Sequence, residues 1–194
     1  MLQSKYLTET ELKDFGFKSL GRNVRISSDA RVYGQENISI GNDVRIDDFV
    51  ILSSMNGHIT IGNYVFIARN SHLSGFSGID LADFSSMAAN TVIYSASDDY
   101  SGDYLTAQAI PQKYTAHIGG PVVVGRHVII GSGCTLIGPL RIGEGCSIGA
   151  MTLVQKDLPP WGVYVGIPCR RLKERKKGLL LLEEQFLREQ GESC

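Results

Sequence analysis

Between Val124 and Leu158 an aliphatic residue returns at every sixth position: Val124, Ile130, Leu136, Ile142, Ile148 and Val154. Four residues after each comes a second side chain that can be buried, namely Val128, Cys134, Leu140, Cys146, Thr152 and Leu158, and glycine directly follows four of the six. The alternating strands of a sandwich would repeat every two residues and would not hold a six-residue phase over this length. A period of six describes one short strand plus one corner, and three such units close a triangular coil of about eighteen residues. The aliphatic residue then points inward, the glycine beside it is expected to permit the dihedrals of a corner, and the parallel strands of successive coils pair their backbones. No hexad can bury its apolar side alone, so stability has to come from stacking.

The same phase begins at Leu20 and runs through Ile26 and Val32, then Ile40, Ile46 and Leu52, then Ile61, Ile67 and Leu73, then Leu81, Met87 and Ile93. Extra residues fall at one corner of each coil, around 35–37, 56–58 and 77–78. With the stretch after Val124 this makes six coils. The expected fold class is an all-β solenoid, a parallel β-helix in a single domain of 194 residues. Its parts are an N-terminal cap over 1–19, coils over 20–94 and 122–158, an inserted loop over 95–121, and a C-terminal segment and helix over 159–194. In the cap, Thr8 and Glu11 read as a capping box that opens a short helix through about Asp14, with Gly16 ending it. Its expected task is to cover the open edge of the first coil. Pro159 and Pro160 cannot continue a paired strand, so the coil is expected to stop there. Helix formers dominate from Arg171 to Gln190, where Leu172, Leu179, Leu182, Phe186 and Leu187 can form an apolar stripe, and Gly178 divides or kinks the segment.

Composition narrows the function. A formal net charge of −1 gives no general attraction to nucleic acid or an anionic membrane. No apolar run reaches eighteen residues and Met1 to Gly16 lacks a signal-peptide pattern, so neither a membrane span nor secretion is expected, and a cytoplasmic location follows. The four cysteines, Cys134, Cys146, Cys169 and Cys194, have no CxxC spacing, and no metal site is expected. Cys134 and Cys146 hold interior repeat positions and are expected to act as small buried hydrophobes.

The inserted loop is where chemistry is expected, because a long break in a compact repeat is usually functional or disordered. It carries Asp98, Asp99, Tyr100, Ser101, Gly102, Asp103 and Tyr104, and ends near His117. His58, His72 and His127 fall at positions expected to be surface or packing sites.

The repeats, together with Val128-Ile129-Ile130-Gly131, Gly149-Ala150, Val154-Gln155-Lys156-Asp157 and the segment Gly166 to Arg170, resemble the hexapeptide-repeat acyltransferases, in particular the galactoside and maltose acetyltransferase group. The resemblance covers nearly the whole chain. It implies a left-handed coil, a homotrimer, and active sites between subunits that use acetyl-CoA or another acyl-CoA as co-substrate. It also implies close approach of the pantetheine arm at Gly131, Ser132, Gly149 and Ala150, and contacts to the phosphate end of CoA from Lys156, Arg170, Arg171 and Lys173. Arg175, Lys176 and Lys177 are either part of that cluster or a solvated basic segment.

One departure redirects the chemistry. Members of the group carry a general-base histidine just after the coil that precedes the loop, and the corresponding position here is Asp98. A carboxylate with an ordinary pKa near 4 is a poor base for a hydroxyl. An uncharged amine needs no prior activation to attack a thioester; it needs holding, and a group to take its proton. Asp98, Asp99 or Asp103 suits that task, with His117 as competitor for the role. The pattern looks like the nucleotide-linked amino-sugar N-acyltransferases, which implies an acceptor destined for a surface polysaccharide such as lipopolysaccharide. Saccharide O-acetylation through His117 and a non-catalytic scaffold are the alternatives.

Overall fold

The computed structural model describes residues 5–107 and 109–191; Cys194 lies outside the described residues. The chain winds into a left-handed parallel β-helix with three faces. The first face stacks the strands Ser19–Leu20, Ile38–Ile40, Ile59–Ile61, Ile79–Leu81, Val122–Val124 and Leu140–Ile142. The second carries Arg25–Ile26, Arg45–Ile46, Phe66–Ile67, Ser86–Met87, Ile129–Ile130, Ser147–Ile148 and Gly162–Val165, and the third runs from Arg31–Tyr33 to Leu153–Val154.

The six-residue phase maps directly onto this register. Leu81 pairs with Ile61 and Val124, Met87 with Ile67 and Ile130, and Ile93 with Leu73 and Leu136. These side chains are at most 2% exposed and form one continuous core. Val128, Cys134, Leu140, Cys146, Thr152 and Leu158 are buried beside them. Only Leu20 and Val32 are partly open, because the first coil has no coil before it. Helix α1 (Glu9–Asp14) covers it: Thr8 Oγ1 accepts from the Glu11 amide at 3.2 Å, the Glu11 carboxylate accepts from the Thr8 amide at 2.7 Å, and Leu12 is buried against the core.

The repeat glycines have a different role from the one the sequence implied. Gly125, Gly131, Gly143 and Gly149 do not adopt positive φ; that falls two positions later, on residues such as Asn23, Asp43, Tyr64, Asn90 and His127. A Cβ on Gly131 would lie 2.5 Å from the Ala150 amide nitrogen, and one on Gly143 2.5 Å from that of Pro160. Glycine is required there because the next coil's backbone passes too close for any side chain.

Two boundaries differ from expectation. The coil does not stop at Leu158, since Leu158 bridges to Ile142 and the strand Gly162–Val165 pairs in parallel with Ser147–Ile148, burying Tyr164 beside Ile148. The Tyr164 hydroxyl donates to the Pro159 carbonyl at 2.7 Å. Residues Arg170–Glu174 are a strand rather than a helix start, antiparallel to Gly162–Val165, so Leu172 leaves the expected apolar stripe and is 61% exposed. The unpaired edge of Gly162–Val165 offers this segment a ladder, and that overrides its helical propensity.

Helix α2 (Leu179–Gln190) follows Gly178 and docks on its own coil. Its Phe186 ring meets Tyr64 edge-on at 5.2 Å, beneath a corner stack of Tyr64, Phe84 and His127. Glu183 accepts from Arg126 and meets His127 Nε2 at 2.8 Å. His127 is thus structural, as its repeat position implied.

Candidate active site

The insertion leaves and returns at one point. Gly120 donates to the Ser95 carbonyl at 2.8 Å, and Val122 rejoins the first face opposite Ile79, which is why the phase survives the break. Ser95 Oγ ties this neck to the previous coil by donating to the Ser74 carbonyl at 2.9 Å and accepting from the Ser77 amide at 2.8 Å. Beyond the neck, Ala96–Asp98 and His117–Gly119 form an antiparallel pair in which Asp98 stands opposite His117.

That ladder turns two rivals into neighbours. His117 Nδ1 lies 3.7 Å from Asp98 Oδ1, with their side chains 26% and 39% exposed. This is an ion-pair distance, too long for a hydrogen bond. The other side of the imidazole packs on Phe76, ring centroids 4.5 Å apart. Asp98 and His117 together line a groove of about 840 Å³ with Asn56, Ser74, Phe76, Tyr94, Ala96, Ser97, Tyr100, Ile137 and Gln155. A volume of this size suits a small-molecule substrate.

The other two loop carboxylates are placed differently. Asp99 is buried and organises the turn, accepting from the Ser101 hydroxyl at 2.8 Å and from the amides of Ser101, Gly102, Asp103 and Tyr104 between 3.0 and 3.3 Å. The Ser101 hydroxyl first, and then these amides, hold its carboxyl below the usual range. Its oxygens are committed to the loop backbone. Asp103 is exposed and is not among the groove's lining residues. Of the three carboxylates expected to take a proton, Asp98 alone faces the groove.

Sequence reasoning missed much of the lining. Ser74, Tyr94, Ile137 and Gln155 each directly follow the inward residue of the third face, at Leu73, Ile93, Leu136 and Val154. The six-residue phase already put them in one column, a signal that could have been used. Asn56 and Phe76 sit in the extra-residue corners of the two coils before the insertion.

The residues expected to meet CoA divide between two corners. Gly131 stacks on Gly149 and Ala150, Gly149 faces Val165, and Arg170 pairs with Val165 across the antiparallel ladder. Ser132 is exposed at the same corner and accepts from the Met151 amide at 2.9 Å through its carbonyl. Arg171 forms an ion pair with Glu174 at 2.7 Å, and Lys173 is exposed on the same strand. Lys156 lies at the other end of Leu153–Val154, next to Gln155, in a depression of about 500 Å³ with Arg141 and Asp157. Arg175 is withdrawn from any phosphate role: its guanidinium donates to the carbonyls of His127 at 2.6 Å and of Gly145 and Cys146 at 3.2 Å, and burial lowers its pKa.

The remaining candidates are structural. His58 Nε2 meets Asp80 at 3.1 Å at an extra-residue corner, and His72 flanks Tyr94, its pKa lowered by burial. Cys134 and Cys146 are buried thiols whose pKa burial pushes up, each directed at a backbone carbonyl. Among the described residues no cluster of His, Cys, Asp or Glu is suited to a metal.

No family model matches the chain. Individual relatives do. It is 43% identical over 181 residues to a dTDP-4-amino-4,6-dideoxy-D-glucose acyltransferase of Escherichia coli, covering 93% of this chain and 94% of that one. Its structure is similar to that of AntD, an N-acyltransferase of Bacillus cereus, in complex with dTDP and 3-hydroxybutyryl-CoA, with a TM-score of 0.93 and 42% identity over 97% of this chain and 100% of AntD. A serine-to-alanine variant of AntD, in complex with dTDP-4-amino-4,6-dideoxyglucose and coenzyme A, matches with a TM-score of 0.92 and 43% identity over 96% of this chain and all of that one.

Proposed function

The chain belongs to the hexapeptide-repeat acyltransferases, and from that premise we propose that it transfers a short acyl group from acyl-CoA to the amine of a nucleotide-linked amino sugar, of the dTDP-4-amino-4,6-dideoxyglucose type. It is an acyl-CoA-dependent enzyme. The observation that carries the amine reading is Asp98 in the wall of the groove, where its carboxylate can hold an ammonium and take its proton. The neutral amine attacks the thioester carbonyl and a C–N bond forms. Having passed the ammonium proton on to solvent, Asp98 accepts the second proton, which the nitrogen sheds after attack, and this is the proton that the departing thiolate receives. Collapse of the tetrahedral oxyanion breaks the C–S bond, and the CoA thiolate leaves and is protonated.

His117 serves this chemistry as a neighbour of the carboxylate rather than as its rival. The phosphate end of CoA is assigned to Lys156, Arg170, Arg171 and Lys173, whose charges and donors suit it. The small residues Gly131, Ser132, Gly149 and Ala150 are assigned to the path of the pantetheine arm. A sugar held on a nucleotide is activated for glycosyl transfer, so the product is a glycosyl donor, with a surface polysaccharide such as lipopolysaccharide as its destination. The assembly is a homotrimer in the cytoplasm. In support, Tyr100, Tyr104, Leu105 and Ile118 of the insertion are more than half exposed and call for cover. No helix among the described residues is long and apolar enough to cross a membrane.

The test is thiol release from acetyl-CoA with dTDP-4-amino-4,6-dideoxyglucose, set against the sugar that bears a hydroxyl in place of the amine. Release that depends on the amine is the expected result. Equal rates with the hydroxyl sugar would overturn the reading.

A further inference from the structure

The last strand carries one residue more than its partner. Across the antiparallel ladder Val165 pairs with Arg170, Tyr164 with Arg171, Val163 with Lys173 and Gly162 with Glu174, and the register shifts between Val163 and Tyr164. Leu172 is the extra residue, a β-bulge left 61% exposed.

The bulge decides where the charges point. Successive residues of a regular strand alternate between faces, so residues 170 and 173 would stand on opposite sides. Directly paired residues share a face, however, and Arg170 therefore lies with Val165 and Lys173 with Val163 on the outer side, while Gly162 and Tyr164 are buried. The ion pair of Arg171 with Glu174 at 2.7 Å agrees, since these two would also be separated in a regular strand.

What forces the extra residue out is the far end of the strand. The Arg175 amide donates to the Trp161 carbonyl at 2.8 Å, and its guanidinium Nη1 donates to the carbonyls of His127 at 2.6 Å and of Gly145 and Cys146 at 3.2 Å. These carbonyls sit at one corner of three successive coils, ahead of Ile129–Ile130, Ser147–Ile148 and Gly162–Val165. With Arg175 pinned there and Arg170 set opposite Val165, five residues must fit against four, and Leu172 is extruded. Resting on the function proposed above, we propose that Arg175 is a positioning residue for acyl-CoA: its clamp fixes the register that sets Arg170 and Lys173 on one face, as a two-cation seat for the phosphate end. Arg175 itself spends its donors on carbonyls. The seat adjoins the path assigned to the pantetheine arm, because Val165, the partner of Arg170, is what a Cβ on Gly149 would meet at 2.8 Å. Without the clamp the ladder can relax to regular pairing, in which Leu172 takes the place opposite Val163 and Lys173 turns to the other face.

The experiment separates phosphate binding from the integrity of the coil. Calorimetry with acetyl-CoA and with acetyl-pantetheine, a thioester without phosphates, is run beside thiol release with dTDP-4-amino-4,6-dideoxyglucose. Arg175→Ala is expected to weaken acetyl-CoA about tenfold, the worth of one charge-assisted hydrogen bond, to leave acetyl-pantetheine within about twofold, and to lower kcat little. Deleting Leu172 from that variant makes the ladder regular with Lys173 still opposite Val163, and should return acetyl-CoA affinity to within about threefold of the native chain. Equal weakening of both thioesters, no weakening of either, or no recovery on deletion would overturn the proposal. Should Arg175→Ala fail to fold, deletion of Leu172 alone decides: unchanged acetyl-CoA binding supports the register, and a loss of about tenfold overturns it. Selective loss of acetyl-CoA affinity in Arg175→Ala, without transfer to any amino sugar by the native chain, would support the positioning role and sink the proposed function. A native chain that binds neither thioester overturns both.

Discussion

Asp98→Asn keeps the shape of the side chain and removes its charge. The groove should stay intact, because Asp98 is held by the backbone ladder to His117. If the carboxylate takes the proton of the amine, its loss lowers turnover by about 10² to 10⁴, or roughly 3–5 kcal/mol of barrier. His117→Asn gives the contrast. Its imidazole reaches Asp98 only at 3.7 Å, with side chains 26% and 39% exposed. A pair so open to water couples by about 0–1 kcal/mol, at most about fivefold in rate. The two variants should therefore differ at least about twentyfold in kcat, with Asp98→Asn the slower. Thiol release with the amino sugar measures this, and circular dichroism with thermal melting verifies that both coils are folded. If only His117→Asn is inactive, the carboxylate assignment and the N-acyl reading both fall. Equal loss in both would mean that the pair acts as a unit, and Asp98 would not be the sole proton acceptor.

Lys156→Ala and Arg170→Ala should each raise the KM for acyl-CoA by roughly tenfold, the worth of one charge-assisted hydrogen bond, and lower kcat much less; unchanged affinity in both removes the phosphate-end assignment. Ile148, 2% exposed between Ile130 and Tyr164, should not tolerate aspartate. The lost burial costs about 1.5–3 kcal/mol and the buried carboxylate several more, against a usual total stability of 5–15, so a soluble, fully folded Ile148→Asp protein would contradict the stacking. The depressed pKa of Asp99 means that its contribution to loop order is complete above the unfolded value near 4 and is lost as pH falls through the lower folded value. Hydrogen-exchange protection at Gly102, Asp103 and Tyr104 should accordingly drop below about pH 4 in the native chain, and Asp99→Asn should remove that dependence; protection that persists in acid argues against the turn's reliance on the carboxylate.

A local period is readable because each turn of the coil repeats the same demand on the same phase. The inward residues from Ile40 to Val154 were all set by that demand, as were the capping box at Thr8 and Glu11 and the resumption of the coil at Val124. Asp98 was singled out by the place at which the coil phase breaks, and the structure sets it in the groove wall. What the sequence alone left undetermined lies where the period fails. The pairing of Asp98 with His117 depends on antiparallel register across a loop with no repeat, and only the backbone ladder decided it. The turning of the Asp99 carboxylate onto its own loop followed from the amides that fold around it, which no spacing rule encodes. Likewise, the segment Arg170–Glu174 reads as helix in isolation but becomes a strand because the last coil leaves an edge unpaired, and Arg175 becomes a staple because three carbonyls of the coil converge on it. Period and propensity are properties of neighbouring residues; register, edges and converging carbonyls exist only once distant parts of the chain have met.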